Sequence, residues 1–256
     1  MLSKYNLKTS IVSIIGEKKS GKSLILNKLL DIPSTKGFES QNNEGFLMWS
    51  IPYYIKSENR LVYFVECQEL NKKEGDDTLF WLLFAVSSTI ILTVNGEVLN
   101  DRSLNSLSAL ENINGFIDNI KKISPPKLIW AFMDVSEKTL KQIAEGSPSF
   151  PGQILEAKLQ ELAKKSNEIN KKKIQNIGEV FLERKALYLP KAFDGNNLRK
   201  EFIKSMERVK PLIYDEISAK FLFENFLNSR MMLTFINSAL ESFSDKNLID
   251  LTFWYF

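Results

Sequence analysis

Four apolar runs in the first half of the chain have the length of buried strands. They lie at residues 11–15, 61–65, 89–94 and 127–135 and consist mostly of aliphatic and aromatic residues. Continuous apolar runs of this kind are typical of strands that are buried on both faces of a sheet. Segments with helical spacing separate the runs, so the pattern predicts an α/β fold with a mostly parallel sheet flanked by helices on both faces.

The rest of the pattern adds further elements. Residues 46–54 are predicted to form a strand, and Pro52 favours an edge position or the end of that strand. Turn-forming residues at 31–43 and 146–152 indicate an exposed loop and a linker. A short strand is expected at 186–190, and helices are expected at about 22–30, 78–87, 104–123, 155–177, 198–209 and 217–243.

The loop after the first strand carries the most specific motif. Residues 16–23 spell Gly-Glu-Lys-Lys-Ser-Gly-Lys-Ser, and in a strand–loop–helix setting this pattern predicts a phosphate-binding P-loop. Gly16 and Gly21 allow main-chain N–H groups to face inward around a polyphosphate, and the helix that begins at Lys22 adds its positive end. Lys22 would reach the terminal phosphates, and the Ser23 hydroxyl would ligate Mg²⁺.

Composition narrows the chemistry further. The 256 residues suffice for one large α/β domain or two small ones, and their net charge of +3 is too evenly spread to support nucleic-acid binding. The chain has no histidine, which excludes histidine bases and histidine metal ligands, and its single cysteine, Cys67, excludes an internal disulfide. The sequence shows no secretory signal, and its longest apolar stretch is too short to cross a bilayer, so we expect a soluble cytoplasmic protein.

In the order of these features, the chain resembles the large G domain of the guanylate-binding protein family, which is related to the atlastins within the dynamin superfamily. The P-loop and its helix carry the resemblance, together with Phe-Leu-Met-Trp at 46–49, Ser-Ser-Thr at 87–89, Phe-Met-Asp at 132–134 and the segment 232–239. The resemblance implies a P-loop NTPase fold. It divides the chain into a GTP-binding domain at 1–213 and a C-terminal helix at 214–256 that resembles the start of the family's helical middle domain.

The resemblance also implies ligands and residue roles. GTP or GDP with Mg²⁺ would be bound, and a homodimer would form through the nucleotide face. Lys19, Lys22 and Glu66 match catalytic positions, and Ser23, Asn43 and Glu66 match positions around the metal. The matching nucleotide-binding positions are Gly16, Glu17, Lys18, Lys19, Ser20, Gly21, Lys22, Ser23, Leu24, Met133 and Asp134.

Several motif positions depart from the family's pattern. Lys19 stands where the family has a P-loop arginine, and it keeps the charge but loses the planar fork that stabilises transition-state charge. Asn43 replaces the switch I threonine, and Glu66 replaces an aspartate with a longer side chain. Glu69 replaces a glycine that meets the γ-phosphate, and Met133 replaces an arginine beside the base. Each change affects metal binding, phosphate sensing, charge stabilisation or base binding.

Three functional alternatives therefore stay open. The first is a GTPase that hydrolyses GTP slowly; the second is a catalytically impaired pseudo-GTPase that acts as a nucleotide-gated interaction module; the third is an ATP-handling P-loop protein. Asp134 would accept hydrogen bonds from guanine, although an aspartate at the end of a strand also serves as a helix cap. The three lysines at 171–173 indicate a solvated surface, and membrane contact there is the minority alternative.

Overall fold

One central sheet organises the described part of the chain. The computed structural model describes residues 7–33, 37–38, 46–67, 76–115, 123–146, 150–195, 197–222 and 225–244. Within these ranges, the strands of the sheet are β1 (Lys8–Gly16), β2 (Phe46–Met48), β3 (Tyr53–Ile55), β4 (Arg60–Cys67), β5 (Thr89–Asn95), β6 (Lys127–Val135) and β7 (Arg184–Pro190). Their order is β2-β4-β1-β5-β6-β7, with β3 also beside β4.

The strand directions bring the candidate motifs to one edge of the sheet. β1, β4, β5, β6 and β7 run parallel, whereas β2 and β3 pair antiparallel with β4. In this register Ile14 lies opposite Glu66 of β4, and Gly16 lies opposite Thr93 of β5. The carboxyl ends of parallel strands are where ligands bind in open α/β sheets. The predicted α/β fold with a mostly parallel sheet is confirmed.

Helices cover both faces of this sheet. The described α-helices are α1 (Lys22–Leu29), α2 (Asp76–Val86), α3 (Glu137–Glu145), α4 (Phe150–Lys165), α5 (Glu168–Val180), α6 (Lys200–Glu216) and α7 (Ser229–Ser244), and 3₁₀-helices lie at Lys56–Glu58 and Asp101–Gly115. One buried apolar cluster joins the sheet to α1 and α6 through Ile25 and Phe202. The other joins it to α2, α4 and α5 through Phe84, Leu159 and Ile177.

The helix expected at 104–123 is a 3₁₀-helix instead, described over Asp101–Gly115. Leu104, Leu107 and Leu110 are fully buried and recur every three residues. Side chains three residues apart eclipse one another in a 3₁₀-helix, so this spacing places all three leucines on the core face. The spacing fits both kinds of helix over a few residues, which is why the pattern alone predicted an α-helix.

The helix expected at 155–177 is two helices, α4 and α5, which are separated at Ser166. The Asn167 side chain accepts a hydrogen bond from the main-chain N–H of Asn170 and so caps α5. Lys173 was expected on a solvated surface with its neighbours, but it is 1% exposed and forms a 2.7 Å ion pair with Glu111. The solvated-surface prediction is therefore wrong for this lysine.

The long helix expected at 217–243 is confirmed from residue 229 onward, where α7 lies, and is wrong for the residues before it. Helix α6 extends past Pro211 to Glu216, and the chain then forms a hairpin of β10 (Phe221–Leu222) and β11 (Asn225–Phe226). The rings of Phe221 and Phe226 lie 4.2 Å apart across this hairpin, so their apolar surface packs locally. Residue 213, the predicted domain boundary, falls inside α6, and the division into two domains stays a prediction.

Hydrogen bonds fasten the segment after α6 to the first half of β1. The Thr9 main-chain N–H donates to the Leu227 carbonyl at 2.8 Å, and the Ser10 hydroxyl donates to the Ser218 carbonyl at 2.6 Å. A buried lysine, Lys220, donates to the Phe84 carbonyl at 3.2 Å, and its burial lowers its pKa well below the ordinary value. The amino end of β1 is thus held by residues more than 200 positions away in sequence.

The remaining differences are smaller. The strand expected at 46–54 is divided into β2 and β3 at Pro52, which has no main-chain N–H to pair. Another short hairpin joins β8 (Phe193–Asp194) to β9 (Asn197–Leu198). Within the described residues, we find no helix with the length and apolar character needed to span a bilayer.

Candidate functional site

The P-loop forms a compact turn between β1 and α1. Gly16, Lys19 and Gly21 have φ angles of 144°, 62° and 85°, in the range that glycine adopts most readily. Lys19 reaches this conformation without being glycine, and both Lys18 and Lys19 are exposed. Gly21 is the residue before the first turn of α1, and as a glycine it has no side chain with which to cap that helix end. The loop therefore presents main-chain groups and lysine charge at the positive end of a helix.

Thr93 holds the loop against β5. Its hydroxyl donates to the Ile15 carbonyl at 3.1 Å and lies 2.5 Å from the Ser20 hydroxyl, which in turn lies 2.7 Å from the Glu17 carbonyl. A Cβ atom on Gly16 would lie 2.1 Å from the Thr93 hydroxyl oxygen and 2.6 Å from its carbonyl oxygen. Only glycine fits at residue 16, because a side chain there would overlap the neighbouring strand.

Lys22 is folded into the loop that it closes. Its ammonium group donates to the carbonyl of Gly16 at 3.0 Å and to that of Glu17 at 2.8 Å, and the side chain is 5% exposed. These carbonyls compensate the buried charge. The lysine of a P-loop binds phosphate oxygens, and for Lys22 this would require exchanging these carbonyls for an anion.

Ser23 and Glu66 form a second polar contact at the start of α1. The Ser23 hydroxyl donates to Oε1 of Glu66 at 2.9 Å. Glu66 is 2% exposed, and within the described residues its Oε2 atom has no hydrogen-bond partner. Burial raises the pKa of the Glu66 carboxyl, and the bond from Ser23 and the charge of Lys22 offset part of that effect.

The donor atoms of this pair fit a magnesium ion. A hydroxyl and a carboxylate are hard oxygen donors, which Mg²⁺ prefers, and a buried carboxylate oxygen that lacks a partner invites a cation. Ser23 and Glu66 are therefore the described residues that would hold the metal together with phosphate oxygens. Asn43, the third predicted metal position, lies outside the described residues.

Met133 and Asp134 lie where β6 becomes irregular. The pairing of β6 with β7 shifts between Phe132 and Val135, so that these two residues form a bulge. Met133 is 4% exposed, and its terminal methyl lies 2.8 Å from the position of a Cβ on Gly21. Asp134 is exposed and has a φ of 56°. The bulge thus seats a methionine under the P-loop and turns a carboxylate toward solvent at the ligand-binding edge.

The remaining predicted nucleotide-binding positions lie in the loop and in the first turn of α1. Glu17, Ser23 and Leu24 are half-buried, and Leu24 packs against the cluster beneath α1. One turn further on, the Asn27 side chain donates to the Phe38 carbonyl at 2.8 Å and accepts from its N–H at 2.7 Å. Asn27 therefore fixes the main chain at Phe38, in the segment between α1 and β2.

Comparison with known proteins places this chain in a family. The sequence model described as "Guanylate-binding protein, N-terminal domain" matches residues 1–225. The chain belongs to the guanylate-binding protein family. It is 28% identical to human guanylate-binding protein 3 over 174 residues, and 26% identical to rat guanylate-binding protein 2 over 231 residues. These alignments cover 58% and 80% of this chain but only 28% and 37% of the two relatives, so the chain spans about a third of their length.

Within this guanylate-binding protein domain, the sequence predicted the position of the loop and of the two carboxylates near strand ends, Glu66 and Asp134, but it did not indicate Thr93. A threonine in an apolar strand three residues before Gly96 is a weak signal by itself. Its importance depends on the register that puts it opposite Gly16. Glu69, which replaces a glycine in the family's motif, lies outside the described residues.

A Glu66→Gln variant should be more stable than the wild-type protein at neutral pH in the absence of nucleotide. A raised pKa in the folded state means that the free energy of unfolding falls as pH rises from about 4.5 through that pKa. Glutamine still accepts the Ser23 bond but carries no charge to bury. Urea unfolding at several pH values should show the stability difference between variant and wild type growing as pH rises. Exposed Glu207→Gln is the control, and equal pH dependence in all three proteins would contradict the burial effect.

Proposed function

We propose that this domain binds guanine nucleotides and hydrolyses GTP slowly. The observation that carries the proposal is the P-loop itself. Lys22 closes this loop at the amino-terminal end of α1, and the contact between Ser23 and Glu66 lies at the same helix end. Membership in the guanylate-binding protein family favours guanine as the base. Asp134, turned outward at the end of β6, is the acceptor for the N1 and 2-amino hydrogens of guanine.

In this proposal, different residues bind the phosphates and the metal. Lys22 exchanges the carbonyls of Gly16 and Glu17 for β- and γ-phosphate oxygens, and the amides at the start of α1 donate to the same anion. Ser23 and Glu66 would hold Mg²⁺, which would neutralise charge on these phosphates. Water attacks the γ-phosphorus in line with the departing GDP oxygen.

Slow turnover follows from the residue at position 19. Lys19 is exposed in the loop and brings one positive charge to the γ-phosphate. Arginine would bring a planar pair of donors to the same charge, and such a group can accelerate hydrolysis about a thousandfold or more. A lysine gives only part of this stabilisation.

Two further features belong to the same proposal. The domain forms a homodimer through its nucleotide face, and it acts in the cytoplasm. Support for the dimer is family membership together with the exposure of Lys18, Lys19 and Asp134 at that face. Light scattering with GDP and with a non-hydrolysable GTP analogue tests it, and an unchanged mass with both ligands contradicts it.

The test of the function is nucleotide binding and turnover by the purified chain. GTP and GDP should raise the melting temperature more than ATP does at the same concentration, because the stabilisation by a ligand grows with its concentration relative to its Kd. A ligand at 100 times its Kd adds about 2.7 kcal/mol to the free energy of unfolding. Phosphate release should be slow, faster in Lys19→Arg and slower in Lys19→Ala.

The outcomes separate the alternatives. Stabilisation by guanine nucleotides without phosphate release in any of the three proteins would favour a pseudo-GTPase that uses nucleotide as a switch. The substitutions around the metal and at position 19 are the observations behind that second candidate. Tighter binding of ATP than GTP, or unchanged melting with every nucleotide, would contradict guanine-nucleotide binding altogether.

A further inference from the structure

We propose that Glu97 is a positioning residue for Asp134 and thereby sets the selectivity of the site for guanine. This inference rests on the proposed function. The two residues follow neighbouring strands, with Glu97 in the turn after β5 and Asp134 in the bulge near the end of β6. Within the described residues, Asp134 is one of four non-glycine residues with a positive φ, so its conformation depends on what holds the chain around it.

The residues directly before and after Asp134 are both held by the core. Met133 is buried beneath the P-loop, and Val135 is buried and pairs with Pro190 of β7. The chain then leaves the sheet at Ser136, which is exposed and begins α3. Packing therefore fixes the chain up to Val135, and something else must fix the turn into the helix.

Glu97 supplies that second attachment. Its carboxylate accepts from the Ser136 hydroxyl at 3.2 Å and from the Ser136 main-chain N–H at 3.4 Å. Ser136 in turn accepts from the Thr139 N–H at 3.4 Å, which caps α3. Hydrogen bonds from Thr139 and Ser136 lower the pKa of the Glu97 carboxyl, so it stays ionised as an acceptor. Glu97 thus binds Ser136, the residue that caps α3, directly after β6.

The turn that carries Glu97 is itself fixed from a third element. The Lys158 ammonium group of α4 donates to the Glu97 carbonyl oxygen and lies 5.9 Å from the centre of the Phe132 ring. Glu97 is therefore anchored through its main chain and acts on Ser136 through its side chain. This arrangement gives Asp134 a fixed support on both sides, which a carboxylate needs if it is to accept two hydrogen bonds from one base edge.

The experiment compares GTP with ITP, which lacks the 2-amino group of guanine. Wild-type protein should bind GTP more tightly than ITP, because Asp134 loses one of its two hydrogen bonds with inosine. In Glu97→Ala the ratio of the two Kd values should shrink by about three- to tenfold, the worth of one hydrogen bond, mainly through weaker GTP binding. Glu97→Gln still offers one acceptor oxygen to Ser136, so its ratio of Kd values should lie between those of the wild-type protein and Glu97→Ala. Exposed Glu145→Ala, at the carboxyl-terminal end of α3, should keep the wild-type ratio.

The outcomes distinguish this inference from the function beneath it. A wild-type GTP/ITP ratio in Glu97→Ala, or an equal loss of affinity for both nucleotides, would overturn the positioning role and leave GTP binding intact. Failure of the wild-type protein to bind either nucleotide would overturn both proposals. Melting temperatures of the variants show whether a fall in affinity reflects unfolding of α3, and an altered ratio at unchanged stability supports the inference.

Discussion

Lys22→Ala should lower the affinity of the domain for GTP by about 100-fold. The ammonium group is a charge-assisted donor to phosphate oxygens, and the loss of two such bonds is worth about 3 kcal/mol. In the empty protein the substitution removes the donor that now bonds to the carbonyls of Gly16 and Glu17, so a small loss of stability is also expected. Isothermal titration with GTP measures the first effect, and urea unfolding without nucleotide measures the second.

Lys28→Ala is the matched control for this experiment. Lys28 lies on the same helix, in its last turn, and its removal should leave GTP affinity within twofold of wild type. Affinity of Lys22→Ala within threefold of wild type would show that the loop does not bind phosphate. The comparison is informative because both variants remove one lysine charge from α1.

Gly16→Ala should destabilise the domain by about 3 kcal/mol and abolish GTP binding. The new methyl group would lie 2.6 Å from the carbonyl oxygen of Thr93, a main-chain atom that cannot move without disturbing β5. The φ angle of 144° adds strain for any side chain. Urea unfolding gives the stability, and titration with GTP tests whether the loop still forms.

Gly195→Ala is the control that separates the steric effect of Gly16→Ala from the effect of backbone strain. Gly195 also has a positive φ, of 56°, but among the described residues other than its chain neighbours a Cβ there would meet no atom within 4 Å. This variant should lose only about 1 kcal/mol, through backbone strain alone. If Gly16→Ala were as stable as Gly195→Ala, the close contact between the P-loop and Thr93 would be wrong.

Features that depend on neighbours in sequence could be predicted here. Strands such as β1 are buried on both faces, and their apolar runs indicate this directly. The P-loop follows from its own residues, because glycine and lysine spacing dictates where the main chain turns and where the charge falls. Asp134 could be placed at a strand end for the same reason.

Features that depend on distant contacts could not be predicted. Phe221 and Phe226 have the spacing of a helix face, but a hairpin lets their rings pack together, and Lys8 lies 4.0 Å from the centre of the Phe226 ring. Thr93 contacts the P-loop because of the strand register, and Glu97 contacts Ser136 at the turn into α3. The local sequence pattern predicts neither contact. The residues proposed to contact nucleotide were thus easier to predict than the residues that hold them in place.

The anchoring of β1 determines how far the independently folding unit must extend. A chain shortened at residue 213 would lack the carbonyls of Ser218 and Leu227, and the buried hydroxyl of Ser10 and the N–H of Thr9 would lose their acceptors. Each buried donor left without an acceptor costs about 1–3 kcal/mol. The smallest autonomous version of this domain therefore reaches at least to the start of α7, well beyond the last strand of the sheet.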